Sequence, residues 1–231
     1  MRRPTPEDEL SKDFMPLEGV DHLEFWVGNA AQAAYFYTHA MGFTPVAYQG
    51  LETGVRDRAS WVLQQGRIRF VLTAPLEPDG EIADHVRRHG DGVRSIALAV
   101  PDAAAAWAEA TARGAASAVE PSEAADDHGM LRTSAIRTYG ETLHTFVERR
   151  DYHGAFGPGY RALDAPAGGG VGLLEIDHVV GNVELGRMQE WVRYYEDVFG
   201  MREMIHFSDE DISTEYSALM SKVCVDGSGR V

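Results

Sequence analysis

The chain has 231 residues, of which 44% are hydrophobic and 25% are charged. This is the composition of an ordinary globular protein with room for one large domain or two modest ones. The 36 acidic and 21 basic residues give a formal charge of −15, which repels phosphate backbones and argues against a nucleic-acid partner. No apolar run approaches the ~18–20 residues of a membrane span, and residues 1–15 lack the apolar run of a signal peptide. We therefore expect no membrane partner.

The first part of the chain follows the order strand, helix, strand, strand, strand after a predicted flexible tail at residues 1–16. The predicted strands are 20–27, 43–48, 59–65 and 67–73, and the helix at 30–41 begins after Asn29 and ends at Gly42. A short helix is predicted at 81–89. The same order then recurs, with a helix at 103–113 that Asp102 caps and strands at 93–100, 115–119, 131–138 and 143–149. Two βαβββ units are therefore predicted.

A third copy opens with the apolar residues around His178, which predict a buried strand at 176–183. A helix at 187–199 with one apolar stripe follows, and then strands at 201–207 and 215–225. Asp177 and His178 repeat Asp21 and His22 of the first unit. One unit cannot cover its own sheet, whereas two units together enclose a cup. The unpaired third unit therefore predicts that the chain is a fragment of a longer one.

These elements divide the chain into four predicted parts. They are the tail at 1–16, an N-terminal domain of two units without a metal at 17–150, a glycine-rich linker at 151–173, and the incomplete start of a C-terminal catalytic domain at 174–231.

Paired βαβββ units with Asp-His in the first strand resemble the vicinal-oxygen-chelate superfamily, of the glyoxalase and dihydroxybiphenyl dioxygenase type. The resemblance implies an α+β fold, here with two complete units and one incomplete unit. Longer stretches are similar to the 4-hydroxyphenylpyruvate dioxygenase family, in order along most of the chain. They are FWVGNA at 25–30, GLETG at 50–54, HGDGV at 89–93, TYG at 138–140, PGY at 158–160, DHVVGN at 177–182 and TEYSALMS at 214–221.

The resemblance implies a non-haem Fe(II) dioxygenase that converts 4-hydroxyphenylpyruvate and O₂ into homogentisate and CO₂ in tyrosine catabolism, and a homo-oligomer when full length. Two histidines and one carboxylate hold the iron in such a centre. His178 matches the first of these ligands, and Ser221 matches a serine whose hydroxyl bonds the substrate. No catalytic residue beyond the metal ligand is assigned. The other two ligands are expected beyond Val231, so the chain by itself is predicted to be inactive.

The first domain is predicted to bind no metal. In the family the second histidine follows a Gly-Val-x pattern, and here that pattern, at 92–94, leads into Ser95. A serine hydroxyl is a poor replacement for imidazole. His22 is therefore interpreted as a structural residue, although Glu148 lies on a last strand where a carboxylate ligand could be.

Two other features are interpreted as structural. His85 and His89 stand at i and i+4 on a predicted helix, but residues 86–88 between them complete no recognised metal motif, and a solvated helix face is expected. The single cysteine, Cys224, cannot form an internal disulfide, which predicts a reducing, cytoplasmic location. Cys224 itself is expected to be a small buried strand residue.

Two alternatives stay open. Hydroxymandelate synthase uses the same substrate and iron but oxidises the side chain rather than the ring, and the residues that separate the two enzymes would line the missing half of the pocket. A metal-free binding protein built from the same units is the other alternative, because an unpaired third unit would expose apolar sheet and need a partner.

Overall fold

The computed structural model describes residues 13–164, 169–207 and 221–231. Nine of the described strands form one mixed sheet; in chain order they are β1 (Gly19–Trp26), β2 (Thr44–Gln49), β3 (Arg58–Gln65), β4 (Ile68–Pro75), β5 (Gly92–Ala99), β6 (Ser117–Asp126), β7 (Gly129–Arg137), β8 (Leu143–Glu148) and β9 (Arg161–Ala162). Two further strands, β10 (Arg202–Phe207) and β11 (Ser221–Val225), form a separate antiparallel pair.

Four α-helices lie in the described parts of the chain: α1 (Ala30–Met41), α2 (Glu81–His89), α3 (Ala103–Ala112) and α4 (Met188–Phe199). A search of the same residues for a helix with the length and apolar character to cross a membrane finds none.

The nine-stranded sheet consists of two halves with the same connectivity. Its order is β6-β7-β8-β5-β1-β4-β3-β2-β9. In one half β1 pairs in parallel with β4, and in the other β5 pairs in parallel with β8. The halves meet where β1 and β5 pair antiparallel, from Gly19 opposite Ala99 to Trp26 opposite Gly92. The two predicted βαβββ units and the α+β fold are therefore confirmed.

Local signals determine where the helices begin and end. The side chain of Asn29 accepts a hydrogen bond from the backbone N–H of Gln32 at 2.9 Å, and Asp102 accepts one from Ala105 at 2.8 Å. Gly42 ends α1 with a φ of 71°, a left-handed conformation that favours glycine. The bounds predicted for α1 and α2 are those observed.

Helices α3 and α4 share one apolar core with the second half of the sheet. Its most buried members include Leu98, Ile136 and Phe146 from the strands, Ala110 from α3 and Phe199 from α4, each at most 1% exposed. Burial of one large apolar side chain contributes about 1.5–3 kcal/mol. Phe199 therefore helps to attach α4 to the first two units.

The strand predicted at 176–183 is wrong, because residues 174–186 form neither helix nor strand. A strand needs a hydrogen-bonded neighbour. The corresponding strand of the first unit, β1, lies between β4 and β5, whereas no strand of the described residues pairs with 176–183. The strand predicted at 215–225 is observed over Ser221–Val225, and its first residues lie outside the described ranges.

Part of the segment predicted as a linker packs on the sheet. Strand β9 pairs with β2, and the side chains of Tyr152 and Phe156 are buried. Phe156 belongs to an apolar cluster with Val62 and Val71 of the sheet. The first two units are therefore extended by residues that follow 150.

A buried histidine joins α4 to the second unit. His144 of β8 is 4% exposed, and its Nε2 lies 2.8 Å from the hydroxyl of Tyr195 on α4. The rings of Tyr195 and Phe199 stand edge-on to the imidazole at 5.6 and 5.2 Å. Burial lowers the pKa of His144 to about 4, so the folded protein holds it neutral at physiological pH.

We expect the free energy of unfolding to fall as the pH is lowered from about 6.5 to 4. The unfolded chain protonates His144 below its ordinary pKa of about 6.5, whereas the folded chain does so only near 4. Acid therefore favours the unfolded state, by about 2–3 kcal/mol at about pH 4.5. Urea unfolding of the wild type and of His144→Gln at about pH 7 and 4.5 measures this loss, with the exposed His39→Gln as control. Equal pH dependence in the wild type and His144→Gln would contradict the prediction.

Candidate active-site segment and metal ligands

His178 lies on an irregular segment and has one ring nitrogen available. Its Nδ1 lies 2.8 Å from Oδ2 of Asp177, and its side chain is 68% exposed. When the Nδ1–H of an imidazole donates to a carboxylate, Nε2 keeps a lone pair that can bind a metal ion. Such a carboxylate contact is the usual support for a histidine metal ligand. Among the described residues, no group of three potential metal ligands includes His178.

The segment that carries His178 is held from its N-terminal side by Gln65 at the end of β3. The Oε1 of Gln65 accepts hydrogen bonds from the backbone N–H groups of Val171 at 2.8 Å and Leu173 at 3.3 Å. Its Nε2 donates to the carbonyl of Met41 at 2.7 Å. The backbone N–H of Arg67 also donates to the carbonyl of Leu174 at 2.7 Å. Residues of the β3–β4 hairpin therefore bind the chain just before His178.

On the other side of His178, residues 179–182 run along a cleft of about 330 Å³. The opposite wall includes Val93, Tyr139 and Thr142. The ring of Tyr139 lies so close to Gly181 that an added Cβ there would overlap it. Contacts on both sides of His178 therefore come from the first two units.

Ser221 is the first residue of β11 and is half-buried, opposite Phe207 in the strand register. No hydrogen bond joins its hydroxyl to His178, although both residues lie within the described ranges. The substrate-binding role expected for Ser221 stays a prediction. Cys224 lies on the same strand, as expected, and is partly rather than fully buried.

The first-unit counterpart, His22, is surrounded by structural partners. Its Nδ1 lies 2.6 Å from Oδ1 of Asp21, and its ring packs edge-on against Phe156. Arg149 donates two hydrogen bonds to Asp21, each of 2.8 Å. Burial by itself would raise the pKa of Asp21, but the hydrogen bonds from Arg149 and His22 hold it well below its usual range.

Ser95 and Glu148 are the other two positions of the first domain that would correspond to iron ligands, and both have partners. The hydroxyl of Ser95 lies 2.7 Å from that of Thr145. The carboxylate of Glu148 accepts from Arg132 at 2.9 Å and from the backbone N–H of Ala103 at 3.2 Å. Glu148 thus helps to begin α3. These contacts give each side chain a structural role.

The solvated helix face expected for His85 and His89 is observed at His89, whose side chain is 45% exposed, but not at His85. His85 is 6% exposed, and its ring packs edge-on against Trp26 at 5.1 Å. The turn after β7 brings Glu141 to within 3.1 Å of His89 Nε2. In the described part of the chain, these three residues form the one group of three potential ligands.

A model of a protein family matches more than half of the sequence. The family is described as "Hydroxyphenylpyruvate dioxygenase, HPPD, N-terminal", and the match covers residues 12–162. The chain belongs to the hydroxyphenylpyruvate dioxygenase family. The match ends at β9, so it contains both βαβββ units and the packed residues after 150.

Curated relatives extend the similarity past this match. A 4-hydroxyphenylpyruvate dioxygenase from Aspergillus fumigatus is 42% identical over 240 residues, which covers 95% of this chain and 60% of that protein. One from Dictyostelium discoideum is 45% identical over 222 residues, with 93% and 60% covered. The chain therefore spans about 60% of the length of these relatives.

Solved structures show the same architecture. A triple mutant of 4-hydroxymandelate synthase from Streptomyces coelicolor superposes with a TM-score of 0.79 at 25% identity, covering 93% of this chain and 61% of that one. A fusion of a xylose isomerase-like TIM barrel with 4-hydroxyphenylpyruvate dioxygenase gives a TM-score of 0.68 at 23% identity, covering 94% and 31%. The second likeness concerns the fold alone.

Sequence reasoning about the dioxygenase family missed two side chains that shape the segment around His178. Gln65 bonds residues more than a hundred positions away, and nothing in the local pattern of a strand end marks such a role. Tyr139 lies in the TYG stretch that carries the resemblance. The sequence therefore marks Tyr139 as part of the family pattern but does not predict its contact with Gly181.

Asp21→Asn should lower the free energy of unfolding by about 3 kcal/mol at neutral pH, because Arg149 then loses its buried partner. The folded-state pKa of Asp21 lies below the ordinary value of 3.8, so this stabilisation is complete above 3.8 and is lost as the pH falls below it. Urea unfolding at about pH 7 and 3 measures the change.

The matched control is Asp57→Asn, because Asp57 pairs with Arg58 on the surface and should contribute less than about 1 kcal/mol. A difference between wild type and Asp21→Asn that is the same at both pH values would contradict the role of the ionised carboxylate.

Gln65→Ala should release the segment before His178 without unfolding the sheet. Three hydrogen bonds are lost, at about 1 kcal/mol each, so proteolytic cleavage between residues 164 and 177 should become at least about tenfold faster. Limited proteolysis with mass spectrometry measures the rate. Gln64→Ala is the control, since the neighbouring side chain makes one exposed 3.3 Å bond to Gly66. Equal cleavage of both variants would contradict the anchoring role.

Proposed function

We propose that this chain is part of a non-haem Fe(II) dioxygenase that converts 4-hydroxyphenylpyruvate and O₂ into homogentisate and CO₂. The observation that carries the proposal is the 42–45% identity, over 93–95% of the chain, to proteins named 4-hydroxyphenylpyruvate dioxygenase. The substrate supplies the carbon skeleton and the CO₂, and the two atoms of O₂ enter the carboxylate and the ring of the product.

His178 is the iron ligand in this proposal. The contact between its Nδ1 and Asp177 leaves the Nε2 lone pair available for the metal. Iron centres of this type use two histidines and one carboxylate, and the iron would supply the activation of the 2-oxo acid and O₂. The described residues supply one of the three side chains. The chemistry that the iron would provide therefore depends on residues outside the described ranges, and no step is assigned to this chain alone.

Ser221 is proposed to donate a hydrogen bond to the substrate. It begins β11 and is half-buried, and the proposal rests on its match to the substrate-binding serine that the family resemblance implies. The alternative for such a residue is a bond to a neighbouring carbonyl. A Ser221→Ala variant that changes KM and leaves the stability unaffected would favour substrate contact.

The first two units are proposed to act as a scaffold and to hold no second iron centre at the positions that correspond to His178. Their counterpart of the ligand, His22, is enclosed by Asp21, Arg149 and Phe156, and Ser95 stands where the family resemblance requires a histidine. The segment before His178 is bound by Gln65 of the same domain. We also propose, from the resemblance, a homo-oligomer and a cytoplasmic enzyme, the latter supported by the single cysteine.

A second candidate is hydroxymandelate synthase, which the 25% identity and TM-score of 0.79 to a 4-hydroxymandelate synthase support. The higher identity to the dioxygenases favours ring hydroxylation. A metal-free binding protein is the third, and it would show no Fe(II)-dependent turnover.

The product of the reaction separates these candidates. The protein encoded by the whole open reading frame that contains these residues should consume O₂ with Fe(II) and 4-hydroxyphenylpyruvate and release homogentisate, identified by mass spectrometry. Formation of 4-hydroxymandelate would favour the synthase, and saturable binding without turnover would favour the binding protein.

In that protein, His178→Ala should abolish turnover, because removal of a metal ligand removes the iron site. His22→Ala should retain activity and lower the free energy of unfolding by about 2–3 kcal/mol, since it leaves Asp21 with one partner fewer. Activity assays and urea unfolding of both variants form the matched pair. Near-normal turnover of His178→Ala would overturn the ligand assignment.

A further inference from the structure

Helix α2 and the turn after β7 bring together three side chains with metal-ligand chemistry. His85 and His89 occupy successive turns of α2, and Glu141 reaches them from the turn. Their ligand atoms all lie within 4.8 Å of one another. The site is distinct from His178 and does not depend on the proposed function.

The spacing of the donor atoms suits a small divalent ion. His85 Nδ1 lies 3.5 Å, and His89 Nε2 lies 3.1 Å, from Oε2 of Glu141. Ligands bound about 2.0–2.2 Å from a tetrahedral Zn²⁺ stand about 3.3–3.6 Å apart. Small rotations of exposed side chains would therefore complete the geometry, because His89 and Glu141 are 45% and 39% exposed.

An independent observation points to a ligand at this place. His85 is 6% exposed, and its Nδ1 is buried without any hydrogen-bond partner. The 3.5 Å separation from Glu141 does not form a hydrogen bond with acceptable geometry. Buried polar atoms in folded proteins nearly always have a partner. A metal ion between His85 and Glu141 would provide one.

Contacts of Trp26 and Arg94 hold the surroundings of the three side chains in place. Trp26 packs edge-on against the His85 ring, and Arg94 lies over Trp26 at 4.6 Å. Arg94 also donates to Glu81 at 2.6 Å and to the backbone carbonyl of Glu141. The turn is therefore fixed through its backbone, and the Glu141 carboxylate faces His89 and Arg88.

One cation competes for that carboxylate. Arg88 pairs with Oε1 of Glu141, whereas the two histidines face Oε2. An exposed ion pair of this kind is weak, so a coordinated metal can compete with it.

We propose that His85, His89 and Glu141 bind a divalent transition-metal ion, with water from the adjacent cleft completing its coordination. Two imidazoles and one carboxylate suit Zn²⁺ and exclude Mg²⁺ and Ca²⁺, which prefer oxygen ligands. The ion would link α2 to the turn that carries Tyr139. Because Tyr139 contacts Gly181, the link would steady the wall along which residues 179–182 run.

The test is metal binding by the untagged 231-residue chain after treatment with a chelator. Calorimetric titration with Zn²⁺ should show one ion per chain, and Co²⁺ should give the visible absorption of a low-symmetry nitrogen–oxygen site. Mg²⁺ should not compete. Absence of Zn²⁺ binding, or displacement by Mg²⁺, would overturn the proposal.

Variants assign the site to these residues. His89→Ala and Glu141→Gln both change exposed side chains. Each should weaken Zn²⁺ binding at least about tenfold. That factor is the lower end of the loss in metal affinity when a group that supports a metal ligand is removed. Arg88→Ala should tighten binding about two- to fivefold by releasing the carboxylate. Circular dichroism checks that each variant is folded.

His39→Ala, on the exposed face of α1, and His178→Ala are the matched controls and should bind Zn²⁺ as the wild type does. The proposal fails if His89→Ala and Glu141→Gln retain wild-type affinity, if His178→Ala loses the ion, or if Arg88→Ala weakens binding.

Discussion

The buried carboxylate of Asp21 is the interaction on which the arrangement of the first two units depends. Its side chain is 6% exposed and accepts both hydrogen bonds from Arg149, which follows the last strand of the second unit. Arg149 also donates to the carbonyl of Phe156. One carboxylate thus joins the first strand of the domain, its last strand and the segment packed behind them. A charge buried this deeply is tolerated only while its partners remain in place, so the three parts are held together.

The same two-residue motif has different surroundings in the third copy. Asp177 and His178 keep the local contact, at 2.8 Å compared with 2.6 Å for Asp21 and His22. However, the Asp177 side chain is 92% exposed and that of Asp21 is 6% exposed. In the first unit the pair is enclosed by Arg149 and is part of the core. In the third the imidazole keeps an accessible nitrogen. The two Asp-His pairs therefore share the motif and the local contact but differ in burial among the described residues.

Local sequence signals predicted much of the fold, but they did not predict contacts between residues that are distant in the chain. Caps at Asn29 and Asp102 predicted where α1 and α3 begin, because each cap acts within three residues. Strand β6 was predicted only to residue 119 and continues to Asp126, since its second half is exposed and lacks an apolar pattern, and pairing with β7 holds it. The apolar run around His178 predicted a strand that has no neighbour. Glu141 could not be assigned to His85 because 56 positions separate them.

The position of the His178 segment follows from the way in which unpaired backbone groups are satisfied. A segment without strand partners must bond its N–H groups to something else or leave them to water. Just before the segment, Gln65 accepts from the N–H groups of Val171 and Leu173 and donates to the end of α1, so one amide side chain fixes the chain that leads to His178. On the C-terminal side of His178, the ring of Tyr139 contacts Gly181, where any side chain would overlap the ring. The two βαβββ units therefore hold the segment through the Gln65 amide, the backbone of Arg67 and the Tyr139 ring. None of these contacts has a periodicity that a sequence pattern could reveal, which is why the candidate ligand was predictable and its support was not.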